Sequence, residues 1–440
     1  MKHLLLLAAV PLLIAAAPDD PVRSVSEKEL RATVERLVGF GTRHTLSSQT
    51  DRKRGIGAAN RWAEARFRAI SKDCRGCLEI ALPEKMVTGP RIPTPVRLMN
   101  VVAIQQGTDR PKEVVIVQGH IDSRVSDVLD AIKDAPGAND NASGSALVIE
   151  AARVMSRERY PATVIYALLS GEEQGLFGGA LLAEWAKAQG YTVKAVLNND
   201  IVGGSRGPGG RVDDATVRVF SEGPRADASP QVTAAQRRRG GENDSPSRNL
   251  SRFVDGIAER AQIGLDVRQI WRTDRFGRGG DHLPFLDAGL PAIRISVGVE
   301  DWDHQHQDLR TEGGVEYGDT IDEMDFAYLA RVTRLNVAAL EQLARAPMPP
   351  APAIKDSLSA DTTLEWKPVE GAAKYIVRWR ATDANRWTNA VEVPGTATGH
   401  VLGGVQVDDW AFGVSAVSAE GVESPVASAV AGGAFAPIAP

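Results

Sequence analysis

The chain has 440 residues, too many for one ordinary domain at roughly 150 residues each, so two or three are expected. A content of 43% hydrophobic, 24% charged and 5% aromatic residues is globular, which excludes a mostly disordered, collagen-like or coiled-coil chain. Asp and Glu outnumber Lys and Arg by 56 to 51, so no strongly basic face is forced and nucleic acid is not expected as a partner.

Met1-Lys2-His3 is a short basic start, Leu4 to Ala17 is almost wholly apolar, and Asp19 and Asp20 follow. This order predicts a signal peptide over residues 1–17, cleaved within Ala15–Ala17. The apolar run is too short to span a membrane, and no later segment reaches spanning length. An exported chain, periplasmic or extracellular, with no membrane contact after signal removal is therefore expected. Export changes the reading of the only two cysteines, Cys74 and Cys77. An oxidising compartment favours a small structural disulfide over a redox pair. A zinc knuckle would need two more ligands, and no other cysteine exists.

The elements that follow alternate. Val114–Val117 is a continuous β-branched run, expected of a strand buried on both faces. A helix is predicted over Ser143–Met155, a second buried strand over Thr163–Leu169, and a helix over Gly179–Ala188. Val193–Leu197 and Ala292–Val297 are the third and fourth strands. This alternation predicts an α/β fold, a mostly parallel mixed sheet flanked by helices, with ligands beyond the carboxyl ends of its strands. The polar segment from Gly203 to Arg248 contains Arg237-Arg238-Arg239, which reads as a solvated loop or helix end rather than an anion site.

Phe326, Leu329, Val332, Leu335, Ala339 and Leu343 recur at helical spacing, and this helix is expected to close the large domain at residue 343. Residues 344–353 hold Pro347, Pro349, Pro350 and Pro352, a stiff linker. Beyond it, Thr363–Trp366, Tyr375–Arg380 and Trp410–Val417 alternate with period two, which predicts a small all-β sandwich over 354–440. The order Leu-Glu-Trp-Lys-Pro-Val-Glu-Gly, Tyr-Ile-Val-Arg-Trp, Val-Ser-Ala-Val-Ser-Ala-Glu-Gly resembles a fibronectin type III domain. Trp366, Trp379 and Trp410 are expected in its core rather than on a binding strip.

Histidines and carboxylates follow each buried strand. His120 and Asp122 come after the first, Asp140 lies before the next helix, and Glu172 and Glu173 follow the second strand. Asp200 ends the third, and His304 and His306 follow the fourth. Parallel strands would present all of them at one edge. Carboxylates so crowded raise one another's pKa unless cations neutralise them, and mixed nitrogen and oxygen donors suit zinc.

As an ordered set, His-x-Asp, Pro-Gly-Ala-Asn-Asp-Asn-Ala-Ser-Gly, Ser-Gly-Glu-Glu-Gln-Gly-Leu-Phe-Gly and Asn-Asn-Asp resemble the secreted co-catalytic dizinc aminopeptidases. So do Gly280–Ala292 and Gly318–Asp325, and the match runs from about Arg43 to Leu343. The resemblance implies two Zn2+ bridged by Asp140, one completed by His120 and Asp200, the other by Glu173 and a histidine. That histidine is His306 or, as the alternative, His304. Spacing to Asp308 favours His304, but the loop inserted before Asp319-Thr320 breaks the family spacing, and His306 is preferred. Glu172 is implied as general base and Asp122 as the residue holding the free ring nitrogen of His120. Asp281 or His282 is expected to line the site.

The activity implied is hydrolysis of N-terminal peptide bonds through a two-metal-activated water, with peptide or protein N-termini as substrates. Three alternatives stand beside it. They are a dipeptidase or carboxypeptidase on the same core, a glutaminyl-cyclase-like acyltransferase, and a non-catalytic binding scaffold. Arg272, Arg275 and Arg278, near Asp281, either favour acidic substrate groups or serve structure. Side-chain preference, oligomeric state and the role of the C-terminal sandwich have no sequence signal.

Overall fold

The computed structural model describes residues 20–356 and 358–438. The signal-peptide segment 1–17 lies outside the described residues. Eight strands form one mixed sheet, in the order Glu79–Ala81, Val101–Gln105, Ala162–Leu169, Arg110–His120, Thr192–Asn199, Ala292–Val297, Thr216–Phe220 and Asp266–Ile270. The four central strands are mutually parallel. The edges bring in antiparallel pairing, at Val101–Gln105 on one side and Thr216–Phe220 on the other.

Alternate residues of the central strands feed opposite faces, as the strand period requires. Val115 and Val117 join one core with helices Glu27–Val38, Ile56–Asp73, Ser143–Met155 and Phe326–Arg345. Val114 and Ile116 join another with helix Phe177–Ala188 and with Phe285. Both faces are covered, so the central strands read as unbroken apolar runs.

Helices Glu27–Val38 and Phe326–Arg345 begin where a short polar side chain satisfies a free backbone donor. Ser26 Oγ accepts from Glu29 N, and an Asp325 carboxylate oxygen accepts from Tyr328 N. Ser143–Met155 enters closer to the sheet than any side chain would allow. A Cβ on Gly144 would collide with Asn199 O and the Asn141 amide. Helix Pro230–Arg239 ends on Arg237, Arg238 and Arg239, all exposed, where their charge suits the carboxyl end of the helix. A disulfide joins Cys74 to Cys77 at the end of helix Ile56–Asp73.

After helix Phe326–Arg345, which runs two residues into the expected linker, come seven strands in two antiparallel sheets. Ala353–Asp356, Thr362–Glu365 and Gly399–Leu402 form one. Asn389–Pro394, Lys374–Ala381, Trp410–Val417 and Ala427–Ser428 form the other. Leu364, Tyr375, Val377, Leu402, Phe412 and Val414 share the core between them, with Trp366, Trp379 and Trp410 packed into it.

These sheets rest on helix Pro246–Arg260. Buried Arg380 reaches Asp244 at 2.5 Å, Asn249 donates to Ser428, and Arg386 pairs with Asp255 at 3.0 Å. The contacts lie along this helix and at the end of helix Phe326–Arg345, where Gln342 donates to Glu423 O. None of them involves a residue at the carboxyl edge of the central strands.

Candidate metal centre

The residues at that edge come from five chain segments. His120 is the last residue of its strand, and Asp200 directly follows Thr192–Asn199. Glu172 and Glu173 sit in the turn after Ala162–Leu169, where Gly171 takes φ +80 and lets the chain double back. Asp140 lies in the irregular turn Ala138–Ala142 ahead of the Ser143 helix. His306 comes from the loop after Ala292–Val297.

Their donor atoms converge as two triads sharing Asp140. His120, Asp140 and Asp200 form one and Asp140, Glu173 and His306 the other, each with ligand atoms within 4.8 Å of one another. His120 Nε2 stands 3.1 Å from Asp140 Oδ1 and 3.8 Å from Asp200 Oδ1. His306 Nε2 stands 2.8 Å from Asp140 Oδ2 and 3.0 Å from Glu173 Oε1. Glu172, half-buried, groups with His120 and Glu173.

His304 is placed elsewhere. Its Nδ1 lies 2.9 Å from Gly318 O, and its Nε2 faces Asp301 and Glu323. Asp281 accepts a hydrogen bond from Gly179 N, while His282 is buried against Thr273 O. Arg275 pairs with Asp274 and Glu300, Arg278 pairs with Glu300, and Arg272 stacks over Phe276.

Asp122 is fully buried, and its part differs in detail from the expected contact. The His120 Nδ1 is 3.2 Å from the Asp122 carbonyl oxygen and 3.6 Å from its carboxylate. The carboxylate instead accepts from Glu172 N, Glu173 N and the Thr45 hydroxyl. It therefore shapes the turn that carries both glutamates.

Two arginines, Arg294 fully buried and Arg124 partly so, had no motif to announce them. Arg294 Nη1 binds Asp200 Oδ2 at 2.7 Å, and Arg124 Nε binds Glu173 Oε2 at 2.8 Å. Each guanidinium takes one carboxylate oxygen and leaves the other facing the histidines. Arg43, also buried, donates to the carbonyls of Leu37, Ile121, Pro136 and Gly137, which fixes the backbone leading to Asp140. Asp319 accepts from Asn139 N at 2.8 Å and from Asp140 N at 2.6 Å. A charged residue inside the buried strand Ala-Ile-Arg-Ile-Ser-Val was the legible sign of Arg294, since such a charge needs a partner.

The electrostatics call for cations. Burial disfavours a charged His120, yet Glu172, Asp122, Asp140 and Asp200 push its pKa well above the ordinary value. His306, also opposed by burial, is pushed up to about 10 by Glu173 and Asp140. Burial, with Glu173, Asp200 and Asp281 adding to it, drives the Glu172 carboxyl well up. The protein's own groups thus hold protons where a metal would supply charge. The donors fit a metal directly: the buried His120 Nε2 has no hydrogen-bond partner although two carboxylates face it. Nitrogen and carboxylate donors at such spacing suit zinc.

The fold has solved counterparts. The Legionella pneumophila LapA aminopeptidase aligns with TM-score 0.52 at 17% identity, over 74% of this chain and 73% of that one. The Fimbriiglobus ruber glutaminyl cyclase aligns with TM-score 0.50 at 20% identity, over 74% and 98%. A probable zinc metalloprotease of Leptosphaeria maculans is 43% identical over 422 residues, covering 94% of this chain and 97% of the relative. The class is therefore a zinc metallopeptidase. Residues 100–315 match the model of peptidase family M28, and the chain belongs to that family.

Proposed function

We propose that the chain is an exported dizinc aminopeptidase. The single observation that carries this reading is the pair of triads joined at Asp140, with Glu172 beside them. His120, Asp140 and Asp200 would hold one zinc and Asp140, Glu173 and His306 the other. The chemistry such ions would supply there is polarisation of the scissile carbonyl and a lowered pKa for water near neutral pH.

The remaining work falls to the chain. Glu172 takes the proton from the attacking water and delivers it to the departing amine, so bond making and breaking balance around one carboxylate. Arg124 and Arg294 hold the outer oxygens of Glu173 and Asp200, keeping the inner ones aimed at the centre. Asp122 holds the Glu172–Glu173 turn by two backbone N–H groups. The surplus of carboxylates attracts a free α-amino group, which favours cleavage at an N-terminal residue.

The N-terminal pattern and the Cys74–Cys77 disulfide support export. The order and pairing of the seven C-terminal strands support a fibronectin type III-like sandwich after the peptidase domain. The domain limits proposed are 18–343 and 354–440, separated by the Pro-rich segment.

The test is a panel of aminoacyl anilides and N-blocked peptides, with and without chelator. We expect cleavage of free N-termini only, abolished by chelator and restored by zinc. Glu172→Gln should lower kcat by ~10²–10⁴ while zinc content stays unchanged. Activity on blocked substrates alone, or an unchanged kcat in the variant, would overturn the assignment. Ammonia release from N-terminal glutamine without peptide cleavage would favour a cyclase.

A further inference from the structure

A second group of donors lies outside this centre. His304 Nε2 is 3.8 Å from Asp301 Oδ2 and 3.5 Å from Glu323 Oε2, and all three ligand atoms fall within 4.8 Å of one another. These separations are long for hydrogen bonds. They suit donors sharing one ion, because two ligands about 2.1 Å from a tetrahedral zinc stand roughly 3.4 Å apart. The ring is prepared for ligation as well. Its Nδ1 lies 2.9 Å from Gly318 O and donates there, which leaves the Nε2 lone pair free toward the carboxylates.

The carboxylates are also set. Asp301 Oδ1 accepts from Asp303 N, which turns Oδ2 toward His304. Among the described residues, no lysine or arginine pairs with Asp301 or Glu323; their ion pairs run to His304 alone. A cavity of about 20 Å³, enough for a water-sized occupant, is lined by the three residues together with Arg206, Asp140 and Asp319. Gln305 Oε1, buried and without a hydrogen-bond partner, belongs to a residue lining that cavity.

We infer that Asp301, His304 and Glu323 bind a divalent cation, zinc by the nature of the donors, at a site separate from the Asp140 pair. Its place suggests its work. Asp301 and His304 sit in the loop that carries His306, and Glu323 sits just past Asp319, whose carboxylate holds the backbone of Asn139 and Asp140. An ion there staples the His306 loop to the segment that positions Asp140. It would act on the catalytic centre through these supports rather than on substrate.

The experiment counts zinc per chain in dialysed full-length protein by elemental analysis, alongside a thermal melt. Wild type should hold one zinc more than Glu323→Gln and His304→Ala, with a lower melting temperature in both variants and unchanged circular dichroism. Three falling to two supports both this site and the paired centre. Two falling to one keeps this site and sinks the paired-zinc reading. Equal counts in wild type and Glu323→Gln, or loss of more than one zinc in either variant, overturn this site. A wild type that takes up no zinc overturns both.

Discussion

Single residues away from the chemistry carry their own costs. Glu222 is buried, its carboxylate accepts a long hydrogen bond from Ala226 N, and its pKa is pushed up to about 8 by burial, with Asp227 and Asp287 adding to the effect against Arg225. The folded protein keeps a proton there that the unfolded chain releases near the ordinary carboxylate value. That contribution is present in full below the unfolded pKa and is lost as pH rises toward 8. Glu222→Gln should therefore melt at about the wild-type temperature near pH 4.5 and increasingly above it toward pH 8. The gain there should be roughly 1–4 kcal/mol. Parallel melting curves across that window would show that the carboxyl is solvated. Arg294 and Arg124 teach the complementary lesson: a guanidinium and a buried carboxylate settle each other's orientation, and one oxygen of each carboxylate remains for a metal.

At the scale of elements, the centre exists because four parallel strands end at one edge and their following turns bend inward. A tight junction lies between the start of helix Ser143–Met155 and the end of strand Thr192–Asn199. Gly144 N donates to Asn141 Oδ1, and Asn141 Nδ2 donates to Asn199 O. Asn141 adjoins Asp140 and Asn199 adjoins Asp200, so this contact sets the spacing of two proposed ligands. Gly144→Ala must push helix and strand apart. It should cost ~1–3 kcal/mol in stability and weaken zinc retention, read by melting and by metal content after dialysis. Full zinc content with an unchanged melt would mean that the junction yields without moving the carboxylates. The motif Asn-Asp-Asn-Ala-Ser-Gly was visible in the sequence, but the collision that makes its glycine obligatory involves a strand some 55 residues on.

Across the whole molecule, the C-terminal sheets are joined to the catalytic domain by buried charge. Arg380 is 1% exposed, and Asp244 also pairs with Arg252 at 3.4 Å. Arg225 donates to the carbonyls of Ala434 and Ala436, tying down the chain's far end. Removing one partner of a buried pair leaves the other charge poorly compensated, at about 3–5 kcal/mol. Arg380→Met should therefore split or lower the calorimetric transition while leaving kcat on a small anilide unchanged, since the interface is remote from the Asp140 centre. A single unshifted transition would place the coupling in the remaining contacts.

The strand periodicity and the run of apolar central strands determined the sheet class, because both depend on local spacing, and the ordered motifs, through their resemblance to the dizinc aminopeptidases, pointed to the side chains of the proposed centre. The sequence left two histidines two residues apart as rivals, since its inserted loop obeys no period. Only the folded chain separated them, carrying His306 to Asp140 and Glu173 and turning His304 away to Asp301 and Glu323. The arginines that orient the carboxylates, and the seat of the C-terminal sheets, were likewise decided in three dimensions. Their partners lie dozens to more than a hundred residues away, and a buried charge is satisfied by whatever the fold brings beside it.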